Sequence, residues 1–305
     1  MPNYDAVSTG NLRIARNGGF SETPENLEPR LTSSWDAAVP VPASSPGPAV
    51  KRSSKRAIVK KVTSDDVLRA FNTWAFKREQ PADPQLMSQT IAEAISLERP
   101  VSFVLYWGKG PRCRPAEPEV QCMDFLTGMT RRIREVYAPG AVVELICTDT
   151  HATLNGHSPD CIQAYFAAVG EAAGQRGFQC CRLSDLTRAH AAAAPAPDDE
   201  IVPEDTLVRL ATSARKWYRG DGTAEQGALN YYHMNMIEKR AVELAFPHSI
   251  FVTFSGSELR SLFPKSLPIF YMYSVRRGIS SKPWFLPSAA MGCDITPCQC
   301  AAFAG

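Results

Sequence analysis

Three stretches of this chain carry side chains able to do chemistry. The first is Gly108-Lys109-Gly110-Pro111-Arg112, with Arg114 just beyond. Glycines let the backbone approach a ligand closely, and the Lys offers a positive charge to a phosphate or carboxylate. The stretch is not a phosphate-binding P-loop, which needs Gly-x-x-x-x-Gly-Lys followed by Ser or Thr. A plain surface turn is the other reading. The second stretch runs from Thr148 to His157. There Asp149 can hold an amine or act as a base, and His151 can move a proton near neutral pH. Asp149, His151 and His157 also offer an acid and two imidazoles, but their spacing matches no closed zinc site. No metal is expected. The third stretch holds Asn230, Tyr231, Tyr232, His233, Glu238, Lys239 and Arg240. Asn230 and His233, three apart on a helix, can face one pocket, whereas His233 and Glu238, five apart, do not share a face. Lys239 and Arg240 read as a solvated face. The C-terminal Cys293-x4-Cys298-x-Cys300 offers three soft ligands without a fourth, and reads as free thiols in a flexible tail. No Gly-x-Ser-x-Gly, His-Glu-x-x-His or paired cysteine knuckle occurs.

The composition bounds what these residues can belong to. The chain has 305 residues, a formal net charge of +2 and 44% hydrophobic residues, so a sizeable core can form. Full disorder, a fibrous repeat and a surface built wholly for nucleic acid are excluded. No run of about 18 apolar residues exists, so no membrane-spanning helix is expected. The start lacks a basic region followed by an apolar stretch, so export and disulfides are not expected and a cytoplasmic location is. Cys147, Cys180 and Cys181 lie in apolar stretches and read as small buried hydrophobes.

Residues 1–61 differ from the rest. Six prolines fall between 22 and 50 among small and polar residues, and residues 51–61 hold six basic residues and no acid. This segment cannot bury enough surface to offset its ordering entropy. It reads as a disordered arm, either a solvated linker or a patch for a polyanion. Residues 62–287 read as one α/β domain, and 288–305 as a flexible tail. Ala191–Asp199, a low-complexity Ala/Pro/Asp stretch, marks either a domain boundary or a surface loop.

The elements that must position the chemistry follow from periodicity. A helix capped by Ser64-Asp65-Asp66 runs through Val67, Leu68, Phe71, Trp74 and Ala75, and another runs from Asp83 or Pro84 to Leu97. Val101–Trp107 reads as a buried strand. A helix from Pro118 to Tyr137 turns Met123, Leu126, Ile133 and Val136 inward, and Ala141–Cys147 is a second strand. Residues 148–157 read as a loop. A helix from Ser158 to Gln175, a strand at Phe178–Leu183 and a helix from Ser184 come next. Helices at Pro203–Tyr218 and Ala224–Ala245 precede strands at Ser249–Ser255 and Pro268–Ser274. Strand–loop–helix alternation predicts an α/β fold with a mainly parallel sheet and additional helices. Both polar loops, 108–114 and 148–157, then lie at the carboxyl edge of the sheet, where ligands bind.

The order of these elements resembles the isocyanide (isonitrile) synthase family of the paerucumarin and dityrosine pathways. In that family an apolar strand precedes a Lys-containing loop, as Val101–Trp107 precedes Lys109. Arg132-Ile133-Arg134-Glu135-Val136-Tyr137-Ala138-Pro139-Gly140-Ala141 is similar to its helix and turn. Thr148-Asp149-Thr150 stands where the family has Ser-Asp-Gly. Arg240 to Phe246-Pro247, then Ile250–Phe254, resembles its late helix and strand, and Lys282-Pro283-Trp284-Phe285 its closing motif. Thr150, Phe254 and Phe285 depart from the pattern, which makes this a diverged member.

The resemblance implies a Rossmann-like three-layer α/β fold and a biosynthetic enzyme of specialised metabolism acting on the α-amine of an amino acid. It implies isonitrile formation with a pentulose phosphate as carbon donor, or a variant of it, without cofactor or metal. Carried over by position, Lys109 is a candidate for imine formation or phosphate binding and Asp149 for holding the amine or serving as base; His151, read from its residue type, is a candidate for proton transfer. Arg112, Asn230, His233, Arg240 and Trp284 are candidate substrate-binding residues. Two other classes stay open. One is an aminoacyl-tRNA-dependent enzyme like the cyclodipeptide synthases, for which residues 51–61 would suit tRNA. The other is a catalytically inactive ligand-binding member.

Overall fold

The computed structural model describes residues 61–108, 114–191 and 202–272, and the backbone of 275–276 and 279–280. These residues belong to one compact unit, Ile58–Gly305. The Pro-rich arm, Lys109, Arg112, most of the Ala/Pro/Asp stretch, Trp284 and the C-terminal cysteines lie outside the described residues.

The elements run α1 (Ser64–Phe71), α2 (Pro84–Ser96), β1 (Val101–Trp107), α3 (Glu117–Val136) and β2 (Ala141–Cys147). Then come α4 (Asp149–Leu154), α5 (Pro159–Gly174), β3 (Gln179–Arg182), α6 (Leu183–Ala189), α7 (Glu204–Trp217) and α8 (Ala224–Ala245). β4 (Ser249–Thr253), a 3-10 helix (Ser257–Leu262) and β5 (Ile269–Tyr271) follow. Val275–Arg276 and Ile279–Ser280 pair as a small antiparallel ladder. The main sheet has the order β3-β2-β1-β4-β5. Every pair in it is parallel. The fold is therefore Rossmann-like α/β, with the parallel sheet that the alternation predicts. The chain winds out to one side of β1 and then restarts on the other, which places the switch point beside β1.

Period-2 alternation along the strands builds two cores. Phe103, Leu105 and Trp107 of β1, Val143, Leu145 and Cys147 of β2, and Ile250 and Val252 of β4 face α1, α2, α3 and α5. Val104, Ile146, Phe251, Ile269 and Tyr271 face the opposite way, onto α6, α7, α8 and the 3-10 helix. Both faces of a parallel sheet must be covered, so its strands read as continuous apolar runs.

Local differences from expectation have local causes. The first helix starts one residue early, at a capping box in which Thr63 Oγ1 accepts from the Asp66 amide and the Asp66 carboxylate accepts from the Thr63 amide. It does not continue through Trp74. Past Phe71 the chain turns so that Lys77 bridges Met272 and the Arg78 amide donates to the Tyr271 carbonyl (2.8 Å). This covers the outer edge of β5, leaving Trp74 71% exposed under the Lys77 ammonium (4.6 Å). Val136 faces outward, because Tyr137 takes the inward position and its hydroxyl reaches the Ala94 and Arg99 carbonyls at 3.1 and 2.8 Å. Lys239 is buried rather than solvated, and its ammonium donates to the Ser261 carbonyl (3.2 Å).

The cysteines also separate. Cys147 is buried, but Cys180 is exposed and Cys181 half-buried, because β3 is a four-residue edge strand. A hydrogen bond with the Cys147 thiol, aided by Arg182, holds Cys180 below the usual thiol range, whereas burial pushes Cys122 and Cys181 up. The thiolate is the reactive form. Cys180 is therefore expected to alkylate first among the described cysteines in a short iodoacetamide pulse near neutral pH, read by peptide mapping. In the core, Phe103 is fully buried with its ring 5.3 Å from that of Phe71. Phe103→Ala is expected to cost ~3–5 kcal/mol of stability by urea unfolding.

Candidate functional site

The carboxyl ends of β1 and β2 are locked together. The Thr148 amide (3.0 Å) and hydroxyl (3.1 Å) both donate to the Trp107 carbonyl. From that anchor residues 149–154 coil at once into α4 instead of forming the expected loop. Two glycines let this short helix dock closely. A Cβ on Gly156 would sit 2.6 Å from the Arg219 carbonyl oxygen, and one on Gly220 would strike the Leu154 carbonyl. The turn after α4 thus nests against the connection from α7 to α8.

Docking delivers the first turn of α4 to α8. Thr150 Oγ1 donates to Glu238 Oε1 (2.5 Å), and His151 Nε2 lies 2.6 Å from Glu238 Oε2. Both carboxylate oxygens are engaged, as a buried charge requires. Glu238 is 1% exposed. The His151 ring is wedged edge-on between Tyr106 (5.9 Å between centroids) and Tyr231 (4.9 Å). The Asn155 amide donates to the His151 carbonyl (2.8 Å). Burial, and then the charge of Glu238, push the Tyr106 and Tyr231 phenols up, so both stay protonated. A carboxylate on Nε2 fixes the ring and leaves Nδ1 without a partner among the described residues. Such a pair can take and return a proton at Nδ1.

The remaining sequence candidates lie elsewhere. Asp149 precedes this pair but turns away from it: its carboxylate accepts from the Ser184 amide (3.1 Å) and hydroxyl (2.5 Å). It caps α6, whose own first flanking residue, Arg182, provides no side-chain cap. Asn230 is exposed and accepts from Gln226 (2.9 Å). The His233 ring packs beside Tyr232. Arg240 is exposed and pairs with Glu243 (3.1 Å). Among the described residues no three His, Cys, Asp or Glu side chains group as a metal site. Sequence reading set Glu238 aside because it sought a partner on the same helix. The signal available was an acid in the middle of a largely apolar helical face, together with an adjacent Thr150-His151 pair just past a strand end.

No family model matches this chain, and no curated protein matches it by sequence. Solved structures do. The PvcA protein from Pseudomonas aeruginosa superposes with a TM-score of 0.54 at 19% identity, over 69% of this chain and 82% of its own. The tyrosyl-tRNA synthetase from Archaeoglobus fulgidus, complexed with L-tyrosine, gives a TM-score of 0.42 at 12% identity, over 68% of this chain and 63% of its own. The likeness to PvcA is one of fold.

Two stability tests follow from the geometry. Glu238→Gln keeps the shape but removes the charge that holds Thr150 and His151, and is expected to cost ~1–3 kcal/mol by thermal or urea unfolding. Asp149→Ala and Ser184→Ala should each cost ~1 kcal/mol, with the double variant costing no more than the larger single change, because both remove one cap.

Proposed function

We propose that this chain is an enzyme acting on the α-amine of an amino acid, as an isonitrile synthase or a diverged variant of one. The observation that carries the reading is the His151–Glu238 pair at the carboxyl edge of the sheet, next to the switch point at β1. Removing a proton from an amine or its adduct needs a base held in place and shielded from bulk water. His151, fixed by Glu238 at Nε2 and flanked by two phenols, meets that need. Support also comes from the sequence resemblance around Lys109, Arg132–Ala141 and Thr148–Thr150. The likeness of fold to PvcA is compatible with it.

In this reading His151 is the proton acceptor, and Glu238 and Thr150 are positioning residues. Asp149 holds α4 and α6 together rather than holding the amine. Lys109 follows β1 directly in sequence and retains its assignment to imine formation or phosphate binding, with Arg112 beside it. A pentulose phosphate as carbon donor requires such cations.

Purified protein incubated with each of the twenty amino acids and ribulose 5-phosphate, read by mass spectrometry, is expected to convert at least one. His151→Ala and Lys109→Ala should each lower turnover by ~10²-fold or more. Asp149→Ala should lower it only as far as stability falls. No new mass with any amino acid, or full activity in His151→Ala, sinks the proposal.

A further inference from the structure

Two buried polar atoms on the elements that line the His151–Glu238 pair have no hydrogen-bond partner among the described residues: the Tyr106 hydroxyl and Asn235 Oδ1. Asn235 is 1% exposed. On α8 it lies four residues after Tyr231 and three before Glu238, so the three share one stripe of the helix. Tyr106 approaches from β1, its ring against that of His151 on one side and Phe251 on the other (5.1 Å). The two orphans thus belong to the two elements that line the pair, one to the sheet and one to the helix. An unpaired buried polar atom costs stability, and native proteins carry few of them.

Their chemistry selects a ligand. An amide oxygen only accepts, and one helical turn from a buried carboxylate it suits a cationic N–H donor. Tyr106 remains protonated, because burial and the Glu238 charge oppose its ionisation, so it has a proton to give to an oxygen. A zwitterion supplies both ends and adds no net charge to a site that already buries one carboxylate, whereas a bare anion would add one.

We infer that Tyr106 and Asn235 bind the two ends of the amino acid, with Asn235 Oδ1 accepting from its ammonium and the Tyr106 hydroxyl donating to its carboxylate. This rests on the reading of the ligand as an amino acid and assigns the residues that recognise it. Both groups act by binding, and no bond is made or broken at either.

The test is calorimetric titration of the full chain with the best-binding amino acid and with its decarboxylated amine. Asn235→Leu is expected to weaken both ligands about tenfold or more, and Asn235→Gln, which keeps a neutral amide oxygen, to restore part of the binding. Tyr106→Phe should weaken the amino acid about tenfold and leave the amine unchanged. Tm should hold or rise in Tyr106→Phe and Asn235→Leu, because each removes an unpaired buried atom. Unchanged affinities in both variants overturn the inference. So does a fall in Tm with affinity intact, which would mean that the chain itself partners these atoms. A wild-type protein that binds no amino acid overturns the inference and the functional reading together. Binding without turnover overturns only the reaction, and the comparison of variants still stands.

Discussion

Glu238 sits in the middle of α8 with its carboxylate almost wholly out of water, and that charge sets the terms for everything around it. Removing a carboxylate from solvent costs several kcal/mol unless its oxygens are satisfied. α8 supplies no partner of its own for this group. Both come from α4, through Thr150 and His151. α4 can reach only because Thr148 ties β2 to the end of β1 and because Gly156 and Gly220 let two turns of backbone touch. The proton-carrying group is thus a by-product of solving a burial problem. His151 is held in one orientation by the same bond that keeps Glu238 satisfied.

This arrangement explains why the chemistry sits at the carboxyl edge. In a parallel sheet the strand ends point toward the N-termini of the following helices, and residues just after a strand are the first free to leave the packed layers. Thr150 and His151 come three and four residues after the end of β2, early enough to be rigid. Asp149, one residue ahead of them, points across to α6 and serves that helix instead. Adjacent residues on a tight turn face different neighbours, so one contributes to the site and the other to the frame.

Much of the frame was legible in the sequence. Val101–Trp107 and Ala141–Cys147 are short apolar runs bounded by turn residues, and both are strands with those limits. The helices from Pro84, Pro159 and Ala224 follow from capping residues, proline at the first turn and 3.6-residue spacing. The failures are those that local pattern cannot see. Trp74 has the right spacing to extend α1, but pairing with β5 takes the chain elsewhere. Lys239 looks solvated on charge alone, yet the 3-10 helix that follows β4 covers it.

The candidate site divides along the same line. Residue type alone pointed to His151, because imidazole at a strand end is chemistry independent of packing. The sequence also determined the α/β alternation, and with it the edge where polar residues would gather. Glu238, Tyr106 and Asn235 were decided by tertiary structure. They come from β1 and from a helix about 130 residues further along, and only the strand order β3-β2-β1-β4-β5 brings those segments to one edge. Side-chain pairing across such a distance depends on which layers stack, and a linear pattern records only which face of each element is apolar.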